Sequence, residues 1–298
     1  MHIPSQLLHG RVCPVTALVS STGIAIAATL VRNKANNPNA LRFASVTALV
    51  FALQMLNFPI NQGTSGHLIG GVLAAALLGT PLAVLSLALV LAVQALVFSD
   101  GGITVLGANM LNMALIGAGL GGWLRSHLQK STSAPLATAL ACWISVLLAA
   151  AACSFELSLS QAGNMSGVWF AMLSTHVWIG LGEAALTLVV LAVLGEASST
   201  APAAKSPAFT PLALAMAALL LSPFANTQPD GLSWVVNQYY LLHEGAPAFT
   251  SLWDGYHLPL IQQSALSTSL AGLVGVLCCF GSAWLLARVT GLRAVPAR

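Results

Sequence analysis

Charge is what this sequence has least of. Asp, Glu, Lys and Arg make up 6% of its 298 residues, against roughly 25% in a typical soluble domain. A chain that is 57% hydrophobic cannot cover its surface with so few charges, which excludes an ordinary water-soluble fold. Three of the ten basic residues fall near the C-terminus, and no basic stripe with interleaved aromatics exists, which removes the case for nucleic-acid binding. No C-x-x-C pair joins the five cysteines, Cys13, Cys142, Cys153, Cys278 and Cys279, and all but Cys13 lie in apolar runs, as small buried hydrophobes do. Neither a G-x-x-x-x-G-K-[ST] phosphate loop nor an H-E-x-x-H zinc-protease motif occurs.

What the sequence does have is apolar length. Uncharged runs such as VTALVSSTGIAIAATLV (15–31) and PLAVLSLALVLAVQALVF (81–98) approach the roughly 20 residues that a helix needs to cross the hydrocarbon. The expected fold is an all-α polytopic membrane protein, with spans near 12–31, 43–58, 67–79, 82–98, 109–124, 136–155, 167–194, 208–225 and 265–287. The third is too short to cross unaided and needs tilt or shielding by its neighbours.

Placing the amino terminus outside puts Arg32, Lys34, Arg42, Arg125, Lys130, Lys205, Arg288, Arg293 and Arg298 in the cytoplasm and leaves only Arg11 outside, as the positive-inside rule requires. Asp100, Glu156, Asp230, Glu244 and Asp254 then lie outside, and Glu183 lies within a span. The first span contains an A-x-A triplet at 25–27, but its basic residues follow rather than precede it, so it reads as a retained helix and not a cleaved signal. A Ser-, Ala- and Pro-rich stretch, EASSTAPAAKSPAF (196–209), separates a block 1–195 from a final pair of spans in 208–298. A long external loop (226–264) joins that pair, and Val235, Tyr239 and Leu242 recur there at helical spacing beside Trp234, which suggests a short interfacial helix.

The chain opens MHIPSQLLHG. A histidine at position 2 can chelate a metal with three nitrogens: the α-amine of Met1, the amide of His2 and Nδ1 of its imidazole, closing a five- and a six-membered ring. Tetragonal nitrogen sites of this kind suit Ni(II) or Cu(II). A fourth nitrogen is available from His67, at the outer end of the third span in NQGTSGHLIGG, where Gly63, Gly66, Gly70 and Gly71 would admit an inserted amino-terminal strand. Asn57, Gln94, Asp100, Asn109 and Asn112 gather at the same face; they could accept the remaining N–H of a ligating imidazole, or could cap and join helices. His176 and Glu183, on one face of the seventh span, suit a structural or coupling role, and GAGLGG (117–122) suits helix packing.

MHIP, QMLNFPINQGTSGHLIGG (54–71) and QALVFSDGGITVLGANMLNM (94–113) closely resemble the substrate-capture (S) components NikM and CbiM of energy-coupling factor nickel and cobalt transporters. SPFANTQPDGL (222–232) resembles the small two-helix companion NikN and its PDGL-type relatives, so the chain resembles a NikM–NikN fusion. The resemblance implies a bundle of about seven helices plus two more, a metal held by Met1, His2 and His67, and Ni(II), with Co(II) as the alternative, as transported substrate. It also implies partners: a membrane coupling subunit and cytoplasmic ATPases. Ser5 and Gln6 depart from the common MHIPDG start.

Two other classes stay open at this stage. GTSG (63–66) satisfies the G-x-S-G pattern of rhomboid-type intramembrane serine proteases, with His176 as base to Ser65. A secondary metal transporter is the other, although the midplane is nearly bare of charge and no convincing repeat is present. For a chelate, binding should weaken as pH falls through the imidazole and amine values, about 6.5 and 8 in model compounds.

Overall fold

The computed structural model describes residues 2–33, 38–61, 63–160, 165–197, 206–241 and 249–290. Helices dominate it, because a backbone removed from water must satisfy its own N–H and C=O groups. In chain order they are α1 (Val12–Arg32), α2 (Ala40–Gln54), α3 (Gly71–Leu78), α4 (Thr80–Val97), α5 (Leu106–Asn109), a π-helical stretch Met110–Leu120, α6 (Gly121–Leu128), α7 (Ala134–Ser160), α8 (Ser166–Val193), α9 (Thr210–Leu221), α10 (Gly231–Gln238) and α11 (Ser264–Val289). Among the described residues five of these, α1, α4, α7, α8 and α11, are long and apolar enough to span a membrane. The chain is an all-α membrane protein, and among the described residues its strands are a hairpin of β1 (Phe58–Pro59) with β2 (Ser65–Gly66).

The helices depart from the expected spans where glycine and proline act. The second ends at Gln54 rather than 58, because Phe58 and Pro59 turn into the hairpin. In the third, residues 67–70 are not helical, and α3 begins only after Gly70, whose φ of +76° a side chain would strain. The short α3 is wholly buried, shielded by its neighbours as its length requires. A Cβ on Gly71 would lie 2.4 Å from the carbonyl carbon of Gly117, so α3 crosses the GAGLGG stretch backbone to backbone. Glu156 is not in an external loop: α7 continues to Ser160, and the Glu156 side chain is buried and accepts from Asn112 Nδ2 at 2.8 Å.

The C-terminal pair does not stand apart. A Cβ on Gly275 of α11 would lie 1.9 Å from the Phe51 ring of α2, so these helices pack in direct contact. At the start of α2, Arg42 Nη2 pairs with Glu196 Oε1 at 2.6 Å, and Ser206 Oγ donates to that same oxygen at 2.8 Å. Both sides of the Ser/Ala/Pro-rich stretch are thus pinned to one buried arginine, while residues 198–205 lie outside the described ones. The short helix expected in the long loop is α10, capped by Asp230, whose carboxylate accepts from Ser233 N at 2.7 Å. Its apolar side, Leu232, Val235 and Val236, is buried; Leu242 and Glu244 lie outside the described residues.

Candidate metal centre

The amino-terminal segment is drawn into the protein. Ile3, Leu7 and Leu8 are buried side chains. Asn109 holds the backbone of Ile3 on both sides: Ile3 N donates to Asn109 Oδ1 at 2.8 Å, and Asn109 Nδ2 donates to Ile3 O at 3.2 Å. Gly102 N donates to the same carbonyl at 3.0 Å. The glycines that admit the segment are therefore not those expected near His67. A Cβ on Gly102 would lie 2.1 Å from Ser5 Oγ and 2.5 Å from Ser5 N, whereas Gly66 packs against Ile60 and Ile179, and Gly71 against Gly117.

This anchoring leaves the His2 side chain 9% exposed, with its ring stacked on that of His67 at 5.1 Å between centroids. Burial pushes the His2 imidazole down to about 4, against the pull of the Asp100 carboxylate. A relay of amides then sets its tautomer. Gln54 Nε2 donates to the backbone carbonyl of Ile69 at 2.7 Å, which fixes the orientation of the Gln54 amide. Gln54 Oε1 must therefore accept from Gln94 Nε2 at 2.7 Å, and Gln94 Oε1 faces His2 Nε2 at 3.0 Å. The proton of His2 belongs on Nε2, and the lone pair on Nδ1, as assigned from the network.

His67 is set in a similar way. Its Nδ1 donates to the carbonyl of Leu68 at 3.2 Å, which puts the lone pair on Nε2. The following backbone is clamped by Glu183, whose two oxygens accept from Ile69 N at 2.6 Å and Gly70 N at 2.9 Å. Each lone-pair nitrogen faces a carboxylate: His2 Nδ1 lies 3.5 Å from Asp100 Oδ1, and His67 Nε2 lies 3.5 Å from Asp230 Oδ2. Tyr256 OH donates to the other oxygen of Asp100 at 2.6 Å. A cavity of about 600 Å³ opens beside these groups, lined by His2, His67 and Asp100 together with Asp230, Asp254 and Tyr256.

Asp230 escaped the sequence reading as a member of this site, although the PDGL turn that carries it was visible. Met1, the remaining expected ligand, lies outside the described residues. Among the described residues no group of three or more His, Cys, Asp or Glu side chains is gathered to hold a metal, and the side-chain nitrogens that converge are the two imidazoles. Of the other candidates, Gln94, Asp100 and Asn109 touch His2 or Ile3 as described. Asn57 lines the cavity and its carbonyl accepts from Asn226 N at 2.9 Å, while Asn112 is engaged with Glu156. Asp100 and Asn109 cap no helix: the residue before α5 is Val105, and Asn109 lies inside a helical run. Ser65 Oγ donates to Gln228 O at 2.7 Å and His176 Nδ1 to Met172 O at 2.7 Å, so neither side chain is arranged as nucleophile or base to the other.

A polytopic helical protein that draws its amino-terminal segment in beside two imidazoles has the build of a membrane transport protein, and the families it matches are transport families, not enzymes. Residues 2–201 match the family "Cobalt uptake substrate-specific transmembrane region", CbiM, and residues 206–291 match the PDGLE domain. The chain is 32% identical over 295 residues to the "Putative fused nickel transport protein NikMN" of Archaeoglobus fulgidus, covering 97% of this chain and 98% of that protein. It is 34% identical over 161 residues to the "Cobalt transport protein CbiM" of Acetoanaerobium sticklandii, covering 51% of this chain and 65% of that one. The crystal structure of a truncated transition metal transporter aligns with a TM-score of 0.59 at 32% identity, covering 65% of this chain and 99% of that one. The chain belongs to the CbiM family: it is an S component for nickel or cobalt uptake of the energy-coupling factor type, fused to a NikN-like PDGLE domain.

Proposed function

We propose that this protein captures Ni(II), with Co(II) as the less favoured substrate, at a planar nitrogen site made of the Met1 amine, the His2 amide, His2 Nδ1 and His67 Nε2. The observation that carries the reading is the fixed polarity of the Ile69–Gln54–Gln94–His2 relay. It leaves the lone pair on Nδ1, the imidazole nitrogen that can close a six-membered ring with the amide of its own residue. Had the relay run the other way, the proton would sit on the chelating atom. Gln94 and Asp100 orient His2, Asn109 holds the segment that carries it, and Asn57 borders the approach. Asn112 supports the bundle through Glu156.

The division that fits this function is an S-component bundle in residues 1–195 and a two-helix domain in 208–298. Seven membrane-embedded segments in the former use α2, α3 and the Leu106–Leu128 rod as shorter or composite members. The amino terminus faces outward and the carboxy terminus the cytoplasm: the centre lies at the end of α2 opposite Arg42, and the cytoplasmic end gathers the basic residues. Metal arrives from outside and displaces the protons of the amine and amide. A membrane coupling subunit with ATPases on the cytoplasmic side then drives its release inward. Titration of the purified protein with Ni(II) and Co(II) beside His67→Ala tests the reading. It expects nickel to bind more tightly and the variant to lose at least tenfold in affinity; equal binding by the variant contradicts it.

A further inference from the structure

The turn between α4 and α5 is held from two sides. From within, Gly102 N donates to Ile3 O at 3.0 Å, and a Cβ on Gly101 would lie 3.6 Å from that of His2, so this turn seats the amino-terminal segment. From the other side comes the loop that precedes α11, in the C-terminal part of the chain. Ser251 N donates to Ser99 Oγ at 2.7 Å, Gly255 N to Phe98 O at 3.0 Å and Tyr256 OH to Asp100 Oδ2 at 2.6 Å. The Tyr256 ring stacks on the buried ring of Phe98 at 4.6 Å between centroids. Phe98, Ser99 and Asp100 are thus each bonded to this one loop. Of the three non-glycine residues with positive φ among those described, Ser99 at +52° and Tyr256 at +62° lie one on each side of the contact. A left-handed φ at a residue with a side chain persists only where its surroundings hold it.

The Tyr256 hydroxyl is where this contact meets the centre. Its bond to Oδ2 leaves Asp100 Oδ1 beside His2, 3.5 Å from Nδ1. Gln94, whose Oε1 faces His2 Nε2, also hydrogen-bonds the same hydroxyl. The polar side chains that border the two nitrogens of the His2 ring therefore share one phenol. Burial and the Asp100 charge push that phenol well above its ordinary range, so the proton stays on the hydroxyl and the bond keeps its direction. We propose that Tyr256 is a positioning residue for the capture site: through Asp100 and the turn 98–102, the loop of the C-terminal domain holds His2 in place and slows loss of the metal. The domain is then a functional part of the site and not only a packing partner of α2. Pre-organisation of this kind acts mainly on dissociation.

The inference rests on the reading of the centre as a divalent-metal site with four nitrogen ligands, and one experiment separates the two. Ni(II) is loaded on the full chain and its release to excess chelator is followed by stopped flow, in wild type, Y256F, D100A and the double variant. Y256F keeps the ring on Phe98 and loses only the hydroxyl. The expected result is an unchanged metal-free thermal midpoint and release about tenfold faster in Y256F, the lower end of what loss of a group orienting a ligating imidazole costs. Because Tyr256 acts through Asp100, the double variant should be slower than the product of the two separate effects predicts. A wild-type release rate in Y256F overturns the inference, as does a faster rate that multiplies independently of D100A or that comes with a lowered midpoint; each leaves the metal reading intact. Failure of the wild type or of D100A to bind Ni(II) overturns the four-nitrogen reading itself, and the inference with it.

Discussion

Gln94 decides which nitrogen of His2 carries the proton: its Oε1 faces His2 Nε2 at 3.0 Å, and the direction of that bond is inherited from the Ile69 carbonyl through Gln54. Replacing Gln94 with Leu removes the acceptor and leaves the Gln54 carbonyl without its donor. Ni(II) affinity should fall about 10- to 100-fold, as it does when a group orienting a ligating imidazole is lost. Isothermal titration checks this, and an unchanged affinity would detach the relay from the site.

Asn109 and Gly102 together hold Ile3, and so place His2. Gly102→Ala should leave the helical circular dichroism intact while reducing Ni(II) affinity more than tenfold, because the new methyl would meet Ser5 backbone atoms as close as 2.5 Å. Ser5→Gly should not rescue it, since the clash includes the Ser5 backbone and not only its hydroxyl.

Much of this was legible beforehand, for identifiable reasons. The apolar runs marked the helices because a backbone in hydrocarbon has few alternatives, and His2 with His67 stood out because an amino-terminal histidine has a specific chelating chemistry. The span ends at Gln54 and Gly71 were misplaced because hydropathy does not register a hairpin or a positive φ. The glycines admitting the segment were assigned to 63–71 instead of 101–102, since which backbone approaches which is a property of packing. Asp230 was invisible as a neighbour of His67 for the same reason. Its local signal, Asp before Gly at a helix start, spoke of a cap, and only the bridge to Ser65 turns it toward the centre.

Glu183 accepts the Ile69 and Gly70 amides, so it should govern the position of His67 from a distance. Glu183→Gln retains one acceptor oxygen and orphans one buried amide, costing about 1–3 kcal/mol. The expected outcome is a lower thermal midpoint together with weaker Ni(II) binding. A variant that loses binding at an unchanged midpoint would instead make Glu183 part of the site.

The pH response follows from the burial of His2. Its imidazole sits near 4 in place and near 6.5 when the segment is extracted, so below 6.5 the extracted state binds more protons. Insertion is therefore at full strength above pH 6.5 and weakens as pH falls toward 4, by on the order of 3 kcal/mol over the window. Hydrogen exchange of the Ile3 amide, corrected for intrinsic rates, should show protection lost between pH 6.5 and 4; constant protection would contradict the assignment.

The most direct test of the central claim is the metal content of the purified protein, by mass spectrometry, beside a His2→Ala variant. The substitution removes Nδ1, and with it the six-membered ring of the chelate, while the backbone bonds of Ile3 to Asn109 and Gly102 stay in place. Stoichiometric nickel in the wild type and none in the variant is the predicted result. Equal metal in both would show that the terminal chelate is not the site.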